Sequence, residues 1–198
     1  MSGNSPDGEG PDVPEWDDRF LDPVAERLRF NYDLEKDRRV RGRTFDLYGQ
    51  MRMESHKQFF LPSLDYANHQ RMEHLFVRRA ESVARGDLES LVELGHDLAD
   101  EWIEADEEHY GTDFTFVLVV PEIPTAVRDH VAGFSDRTLL KYGYYGSYEI
   151  NLGVVAPDRE AAVGSKNADV IAAFRLWDDP TEPDSEGLVG RLASLLGR

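Results

Sequence analysis

Two segments of this chain alternate apolar and polar residues with a period of two, and this alternation constrains the fold more than any other feature. The first covers residues 45–54 and the second covers residues 140–154. Because successive side chains of a strand point to opposite faces of a sheet, each segment is predicted to be a strand with one buried and one solvent-facing side. A sheet with one solvated face predicts an α+β fold, with a mixed or mainly antiparallel sheet and helices packed on one face.

The rest of the sequence predicts three helices and three further strands. The helices are predicted over 22–30, over 87–105, and from Pro124 to Gly133. The strands are predicted over 72–79, 112–120 and 169–177, although 72–79 and 169–177 also fit a helical spacing. The basic stretch 36–43 is predicted to be a loop.

The composition divides the chain into one domain with two tails. Residues 1–15 carry little to bury and are predicted to be a disordered acidic tail. Residues 16–178 are predicted to form a single α+β domain. Residues 179–187 are predicted to be an acidic, proline-containing linker, and 188–198 a short amphipathic helix with one apolar stripe over 188–196.

The chain is strongly acidic, with 39 acidic against 22 basic residues and a formal net charge of −17. In this respect it resembles the acidic cytoplasmic domain families of halophilic archaea, whose charge is screened by molar salt. A mesophilic acidic protein from a GC-rich genome is the alternative. The absence of cysteine excludes disulfides and thiolate metal sites. The first residues do not resemble a signal peptide and no apolar run is long enough to span a bilayer, so a soluble cytoplasmic protein without a membrane partner is predicted.

Basic residues are concentrated in one part of this acidic chain. Residues 35–85 hold eleven basic and seven acidic residues, a local charge of +4. Guanidinium groups bind phosphate bidentately and stack on bases, so this part of the chain is a candidate anion or nucleic-acid site. The alternative is that these cations pair with acidic helices of the same domain. The candidate residues are Lys36, Arg38, Arg39, Arg41, Arg43, Arg52 and Arg78.

A candidate metal site lies on the second predicted helix. His96 and Asp100 are one turn apart, and Glu104 follows one turn later. The i, i+4 spacing suits a divalent metal ion, but the H-E-x-x-H motif is missing. The alternative is an ordinary acidic face of a solvent-exposed helix.

Three stretches, RTFDLYG, MEHLFVRRAE and LVVPEIPTAVRDHV, together resemble the core of the restriction-endonuclease-like superfamily with its PD-(D/E)xK motif. The resemblance implies a metal-binding Asp on one strand and an E-x-K on the next. Only Asp46 matches, because Glu73 is followed by His74 and Leu75 rather than by x-Lys. The resemblance therefore implies a degenerate domain that binds nucleic acid without cleaving it.

The sequence favours a non-enzymatic domain that binds a partner or a ligand, and it predicts no cofactor. Residues 36–79 are the predicted nucleic-acid surface, and 188–196 the predicted surface for a protein partner. A degenerate nuclease-like domain and a metal-dependent hydrolase are the alternatives. The polar side of the 140–154 segment is a candidate cleft wall, formed by Lys141, Tyr145, Ser147, Glu149 and Asn151.

Overall fold

The structure of the chain is a computed structural model that describes residues 13–55, 69–106 and 109–178. The predicted linker 179–187, the predicted helix 188–198 and most of the predicted N-terminal tail lie outside the described residues.

Four helices and seven strands make up the described part of the chain. In order they are α1 (Leu21–Leu28), β1 (Asp33–Val40), β2 (Arg43–Ser55), β3 (His69–Arg79), α2 (Arg85–Trp102), β4 (His109–Val119), α3 (Thr125–Gly133), β5 (Asp136–Leu139), β6 (Ser147–Ala156), β7 (Ala161–Gly164) and α4 (Ile171–Phe174). Short 3₁₀ turns follow β5 and β6. No helix in this part of the chain is both long and apolar enough to cross a membrane.

The strands form one mixed sheet in the order β1-β2-β3-β4-β6-β5, with β7 paired to β6. β1, β2 and β3 form an antiparallel meander. β3, β4 and β6 are parallel, since α2 and α3 each carry the chain back across the sheet. β5 and β7 pair antiparallel with β6. Four of the six strand pairs are therefore antiparallel, which confirms the predicted α+β class and the predicted kind of sheet.

Helices cover both faces of the sheet rather than one. α2 and α3 bury Leu88, Leu98 and Val131 against aromatic side chains of the strands. α1 and α4 bury Val24 and Phe174 on the opposite face. The predicted placement on one face is wrong because the central parallel strands are apolar on both sides over much of their length, as parallel strands usually are.

The predicted loop 36–43 is instead the end of β1 and a tight turn. Arg41 and Gly42 have positive φ angles of 45° and 79°, and Val40 pairs with Arg43 across them. Two consecutive left-handed residues are typical of the two-residue turn that closes a hairpin. β1 was missed because six of its eight residues are charged, as its position at the sheet edge permits.

Two further predictions are corrected by the backbone. The predicted strand 169–177 instead contains the short helix α4, whose Ile171 and Phe174 are buried three residues apart, as a helix requires. Residues 140–146 form a turn, because Lys141 and Tyr142 have φ angles of 46° and 59° that no strand accepts. The predicted strand therefore begins only at Ser147.

The face under α1 and α4 is apolar over only half of the central strands. In the second half of these strands, Leu75, Val117 and Val155 pack under the two helices. In the first half, the same face carries charged side chains. Because α1 has eight residues and α4 has four, neither helix extends over this charged half.

Candidate functional site

Three carboxylates lie in register on the three parallel central strands. Glu73 of β3 pairs with Asp113 of β4, and Asp113 pairs with Glu149 of β6. Neighbouring strands are ~4.8 Å apart, so these side chains, here called the carboxylate row, share one face at one level of the sheet. Like charges in directly opposed positions destabilise a sheet. Repulsion within the carboxylate row therefore destabilises the sheet locally, and other interactions have to compensate for it.

Arg71 offsets part of this cost at Asp113. Its Nε and Nη2 atoms donate to Asp113 Oδ2 at 2.9 and 2.6 Å. The Asp113 side chain is only 10 % exposed. Burial raises the pKa of Asp113, and the Arg71 guanidinium opposes that rise.

Glu73 has weaker compensation. Its carboxylate accepts hydrogen bonds from the hydroxyl groups of Tyr32 and Thr115, the latter at 3.4 Å. Burial raises the pKa of Glu73, and the negative charge of Asp113 adds to the rise. Burial and the Glu73 carboxylate raise the pKa of Tyr32 in turn. Glu73 is thus the member of the row that is held mainly by neutral groups.

Glu149 is held at the other end of the row. Asn167 Nδ2 donates to Glu149 Oε2 at 2.7 Å, and Arg137 Nε lies 3.5 Å from Glu149 Oε1. Arg137 stands on β5, directly opposite Glu149. Asn151, two residues along β6, is buried and accepts from Ser165 at 3.4 Å. These contacts leave Glu149 better neutralised than Glu73.

A cavity of about 540 Å³ lies over Glu73 and Asp113 of the row, between the uncovered half of the sheet and the ends of α1 and α4. Its size is within the range of small-molecule sites. A second cavity, of about 360 Å³, continues toward β5 and shares Arg71 and Asp113 with the first. The lining of the first cavity includes Tyr32, Arg71, Glu73, Asp113, Asn151 and Asn167.

The second cavity is bordered by a strained turn. Lys141 and Tyr142 are left-handed non-glycine residues, a conformation that costs energy and persists where surrounding structure enforces it. Gly146 has a φ angle of 74°, and a Cβ atom there would lie 2.1 Å from the carbonyl oxygen of Tyr110. Tyr142 and Tyr144 are largely exposed on this turn. The turn thus holds aromatic side chains at the rim of a polar cavity.

A larger cavity, of about 910 Å³, lies at the opposite ends of the same strands. Its most prominent charged groups already neutralise each other, because Arg79 donates to both oxygens of Asp18 at 2.6 and 2.7 Å. This pairing and two backbone hydrogen bonds lower the pKa of Asp18 to about 2 despite burial. The other charged residues of this cavity are exposed, whereas the carboxylates of the row are largely buried, so we regard the row as the better candidate site.

The predicted basic residues are largely engaged within the domain. Arg41 contacts Asp97 and Glu101 of α2, and Arg38 pairs with Glu35 at 2.7 Å. Lys36 donates to the carbonyl oxygen of Glu15, and Arg43 donates to Ser90. Arg39, Arg52 and Arg78 are exposed and form no ion pair with any described residue.

The basic residues do not form a single patch. Arg52 is paired with Met72, and Arg78 lies six positions further along β3. At ~3.3 Å per residue this places Arg52 and Arg78 ~20 Å apart along the sheet. Tyr48, on the same strand as Arg52, is buried in the cluster under α2.

The residues of the predicted metal site have other partners. His96 Nδ1 lies 2.9 Å from the Tyr148 hydroxyl, and its Nε2 lies 3.2 Å from Asp136. Asp100 is exposed on α2, and Glu104 lies beyond the helix end. Within the described ranges, no group of three or more acidic or histidine side chains is arranged to hold a metal ion.

The strand register separates the two carboxylates that the nuclease resemblance brought together. Glu73 pairs with Met51, which is five residues from Asp46 along β2, or ~17 Å. Asp46 accepts a hydrogen bond from the backbone N–H of Arg79 at 2.6 Å. Asp46 and Glu73 therefore lie at different ends of the sheet.

Sequence reasoning found one side of the candidate site and missed the other. Of the five residues predicted as a cleft wall, Ser147 and Glu149 line the second cavity and Asn151 lines the first. The other two, Lys141 and Tyr145, lie in the turn before β6 and line neither cavity. Arg71 and Asp113 were missed. A usable signal existed in TDFTFVLVV, where Asp113 is a charged residue inside an otherwise apolar strand.

The fold and this site define an α+β domain with a polar, ligand-sized cavity over the uncovered half of a mixed sheet. The chain belongs to the DUF8052 family, a domain of unknown function, whose family model matches residues 17–176. Neither a curated protein nor a solved structure matches the chain.

Proposed function

We propose that this domain is a non-enzymatic ligand-binding domain that holds a small organic cation over the carboxylate row. The observation that carries the proposal is the register of Glu73, Asp113 and Glu149 on adjacent strands, where Glu73 and Asp113 line one cavity and Glu149 lines the next. Burial raises the pKa of Glu73 and of Asp113, which destabilises the folded state, and proteins retain such arrangements mainly at functional sites.

The charges around the cavity favour a cation. Arg71 is committed to Asp113, and Arg137 lies beside Glu149. Arg27, which also lines the cavity, donates to the carbonyl oxygens of Ala173 and Arg175. Glu73 alone is left with neutral hydroxyl partners, so an ammonium or guanidinium group beside it would complete the charge pairing.

An organic cation fits this site better than a metal ion. The described residues contain no three-ligand group for a metal. The remainder of an organic molecule could form hydrogen bonds with the amide groups of Asn151 and Asn167. It could also make apolar contact with the half-buried Met51. Amine-bearing molecules with hydroxyl or amide groups are the ligand class that this lining would recognise.

The test uses agmatine, ethanolamine and spermidine as cationic probes and glycerol as a neutral probe. We expect at least one cation to bind the full chain in calorimetric titrations and to raise its melting temperature. Glu73→Gln should weaken that binding about tenfold or more, the effect of one lost charge-assisted hydrogen bond. Glu122→Gln, an exposed change of the same kind, should leave binding unchanged.

Two results would overturn the proposal. One is that none of the three cations binds the wild-type chain. The other is that Glu73→Gln binds a cation as tightly as the wild type does.

A further inference from the structure

A separate cavity of about 500 Å³ lies on the opposite face of the sheet, beside the end of α2. Its wall is aromatic and its mouth is charged. The floor is formed by Tyr48 and His74 and the side by Trp102. The polar residues at the mouth are Arg38, Glu104, Asp106 and His109. None of these residues belongs to the carboxylate row.

The floor of this cavity holds a neutral histidine. His74 is buried and its Nδ1 lies 2.8 Å from the Tyr48 hydroxyl. Burial lowers the pKa of His74 to about 4, so the imidazole is uncharged at neutral pH. No described residue forms a hydrogen bond with Nε2, so either tautomer leaves that atom with one hydrogen bond to make.

Flat side chains surround this histidine. The Trp102 ring lies edge-on to His74 with 5.1 Å between centroids, and Phe114 stacks on His74 at 5.3 Å. Gln50 lines the same cavity, and its amide can donate and accept in one plane. An aromatic wall with in-plane hydrogen-bonding groups is the pattern that proteins use to bind unpaired bases.

Arg38 supplies a positive group at the mouth. Its guanidinium lies over the Tyr48 ring, 5.2 Å from the centroid, and its side chain is 40 % exposed. One of its nitrogen atoms, Nη1, pairs with Glu35 at 2.7 Å, so the other donors of the fork can reach a ligand. A guanidinium fixed in this way is suited to binding a phosphate group.

We propose that this cavity binds a planar nitrogen heterocycle joined to a phosphate, as in a nucleotide. The heterocycle stacks beside Trp102 and is hydrogen bonded by Gln50 and His74 Nε2. The phosphate lies on Arg38. Glu104 is placed to accept from a sugar hydroxyl between them. A free mononucleotide and an unpaired stretch of nucleic acid both carry this unit.

The test titrates the full chain with AMP, GMP, CMP and UMP, with ribose 5-phosphate, and with a ten-residue oligodeoxythymidylate. We expect at least one mononucleotide or the oligonucleotide to bind. Tighter binding of a mononucleotide would identify a free nucleotide as the ligand, and tighter binding of the oligonucleotide would identify nucleic acid. Ribose 5-phosphate should bind at least tenfold more weakly, because it lacks the stacking base.

Substitutions then separate the parts of the site. Arg38→Gln should weaken binding about tenfold, whereas Arg85→Gln, an exposed arginine paired with Glu89 elsewhere on α2, should not. Gln50→Leu should change the order of preference among the four mononucleotides. Glu73→Gln should leave nucleotide binding unchanged, so this inference and the proposed function can fail separately.

The inference is overturned if neither the mononucleotides nor the oligonucleotide bind. It is also overturned if ribose 5-phosphate binds as tightly as the nucleotides do, or if Arg38→Gln binds like the wild type.

Discussion

Arg71 and Asp113 form a 2.6 Å ion pair that links the outer rim of the candidate site to the middle of the sheet. Arg71 is 45 % exposed, whereas Asp113 is 10 % exposed. The pair therefore places a nearly buried carboxylate under a guanidinium that solvent and ligands can reach. The two members should respond differently when either is removed.

Arg71→Gln should lower the free energy of unfolding by about 1–3 kcal/mol, because Asp113 is left nearly buried without its cation. Denaturant melts give this value. The control is Arg85→Gln, which breaks an exposed pair with Glu89 and should cost less than ~1 kcal/mol. The double variant Arg71→Gln/Asp113→Asn should lose less unfolding free energy than the sum of the losses in the two single variants. A fully additive double variant would contradict the coupling described here.

Glu73→Gln should stabilise the domain increasingly as the pH rises. A carboxyl whose pKa is raised by folding binds its proton more tightly in the native state, so stability is highest below the ordinary Glu pKa of about 4.3 and falls as the pH rises through the raised pKa. Glutamine carries no ionisable proton, so the Glu73→Gln variant does not lose this stability as the pH rises. The unfolding free energy of the variant minus that of the wild type should therefore grow from pH 4 to pH 8. For Glu122→Gln the same difference should stay flat. A variant that gains stability while losing cation binding would fit a trade-off between function and stability.

Asp18→Asn should show the opposite dependence on pH. The pKa of Asp18 is lowered from 3.8 to about 2, so its contribution is fully present above about pH 4 and is lost as the pH falls through 2. At neutral pH the substitution should cost about 1–2 kcal/mol, since each pKa unit corresponds to about 1.4 kcal/mol and the side chain is partly exposed. Asp17→Asn is the matched control, because asparagine tolerates the positive φ angle of 55° at that position. Equal losses in both variants would contradict this account of Asp18.

Gly95→Ala should destabilise the domain although alanine favours helix. A Cβ atom at Gly95 would lie 2.9 Å from Ile150 Cδ1 and 3.1 Å from Phe116 Cε2, in a packed core. Overpacking costs about 1–3 kcal/mol, and the helix propensity of alanine offsets about 1 kcal/mol of it. Gly86→Ala in the same helix meets no atom within 4 Å and should stabilise the domain by up to about 1 kcal/mol. Urea denaturation compares the two variants by their midpoints, provided that the slope of the transition is unchanged. A Gly95→Ala variant more stable than the wild type would show that the Ile150 side chain moves aside at little energetic cost.

We propose further that the domain is adapted to molar salt. With a net charge of −17, the folded chain should gain stability as KCl rises from ~0.1 to 3 M, because the Debye length falls to ~3 Å at 1 M. Circular dichroism across that range, with denaturant melts at each end, measures the gain. A stability that does not change with salt would contradict the proposal.

Local patterns in the sequence predicted most elements and could not predict the site. The helix α2 was predicted closely because Leu88, Leu91 and Leu98 keep one face of a helix, and their burial confirms it. The strand β4 was predicted because its apolar run is continuous. The carboxylate row joins residues that are 40 and 36 positions apart in the sequence, and only the strand order brings them together. Strand order depends on long-range packing, for which a single sequence carries no periodic signal.

The elements that were missed share one physical reason. β1 lies at a sheet edge and α4 is a single short turn, so neither displays the periodicity of an element with one fully buried face. Tyr142 and Tyr144 continue the alternation of β6 in sequence, but the left-handed residues before Gly146 reverse the chain. An alternating pattern reports which residues are apolar, whereas the φ angles decide whether the chain stays extended.

The charged edge strand β1 has a consequence for self-association of the domain. An open sheet edge can pair with the edge of another molecule, the first step toward fibrous aggregates. At molar salt, repulsion between molecules carrying −17 acts over only ~3 Å, so net charge no longer keeps them apart. Short-range features take over this role. Six charged side chains would lose water if a second chain added to β1, and Asp37, with its φ angle of 53°, interrupts the straight edge that such a chain would need. We therefore expect the three acidic and three basic side chains of β1 to hinder edge-to-edge pairing at high salt as well as at low salt.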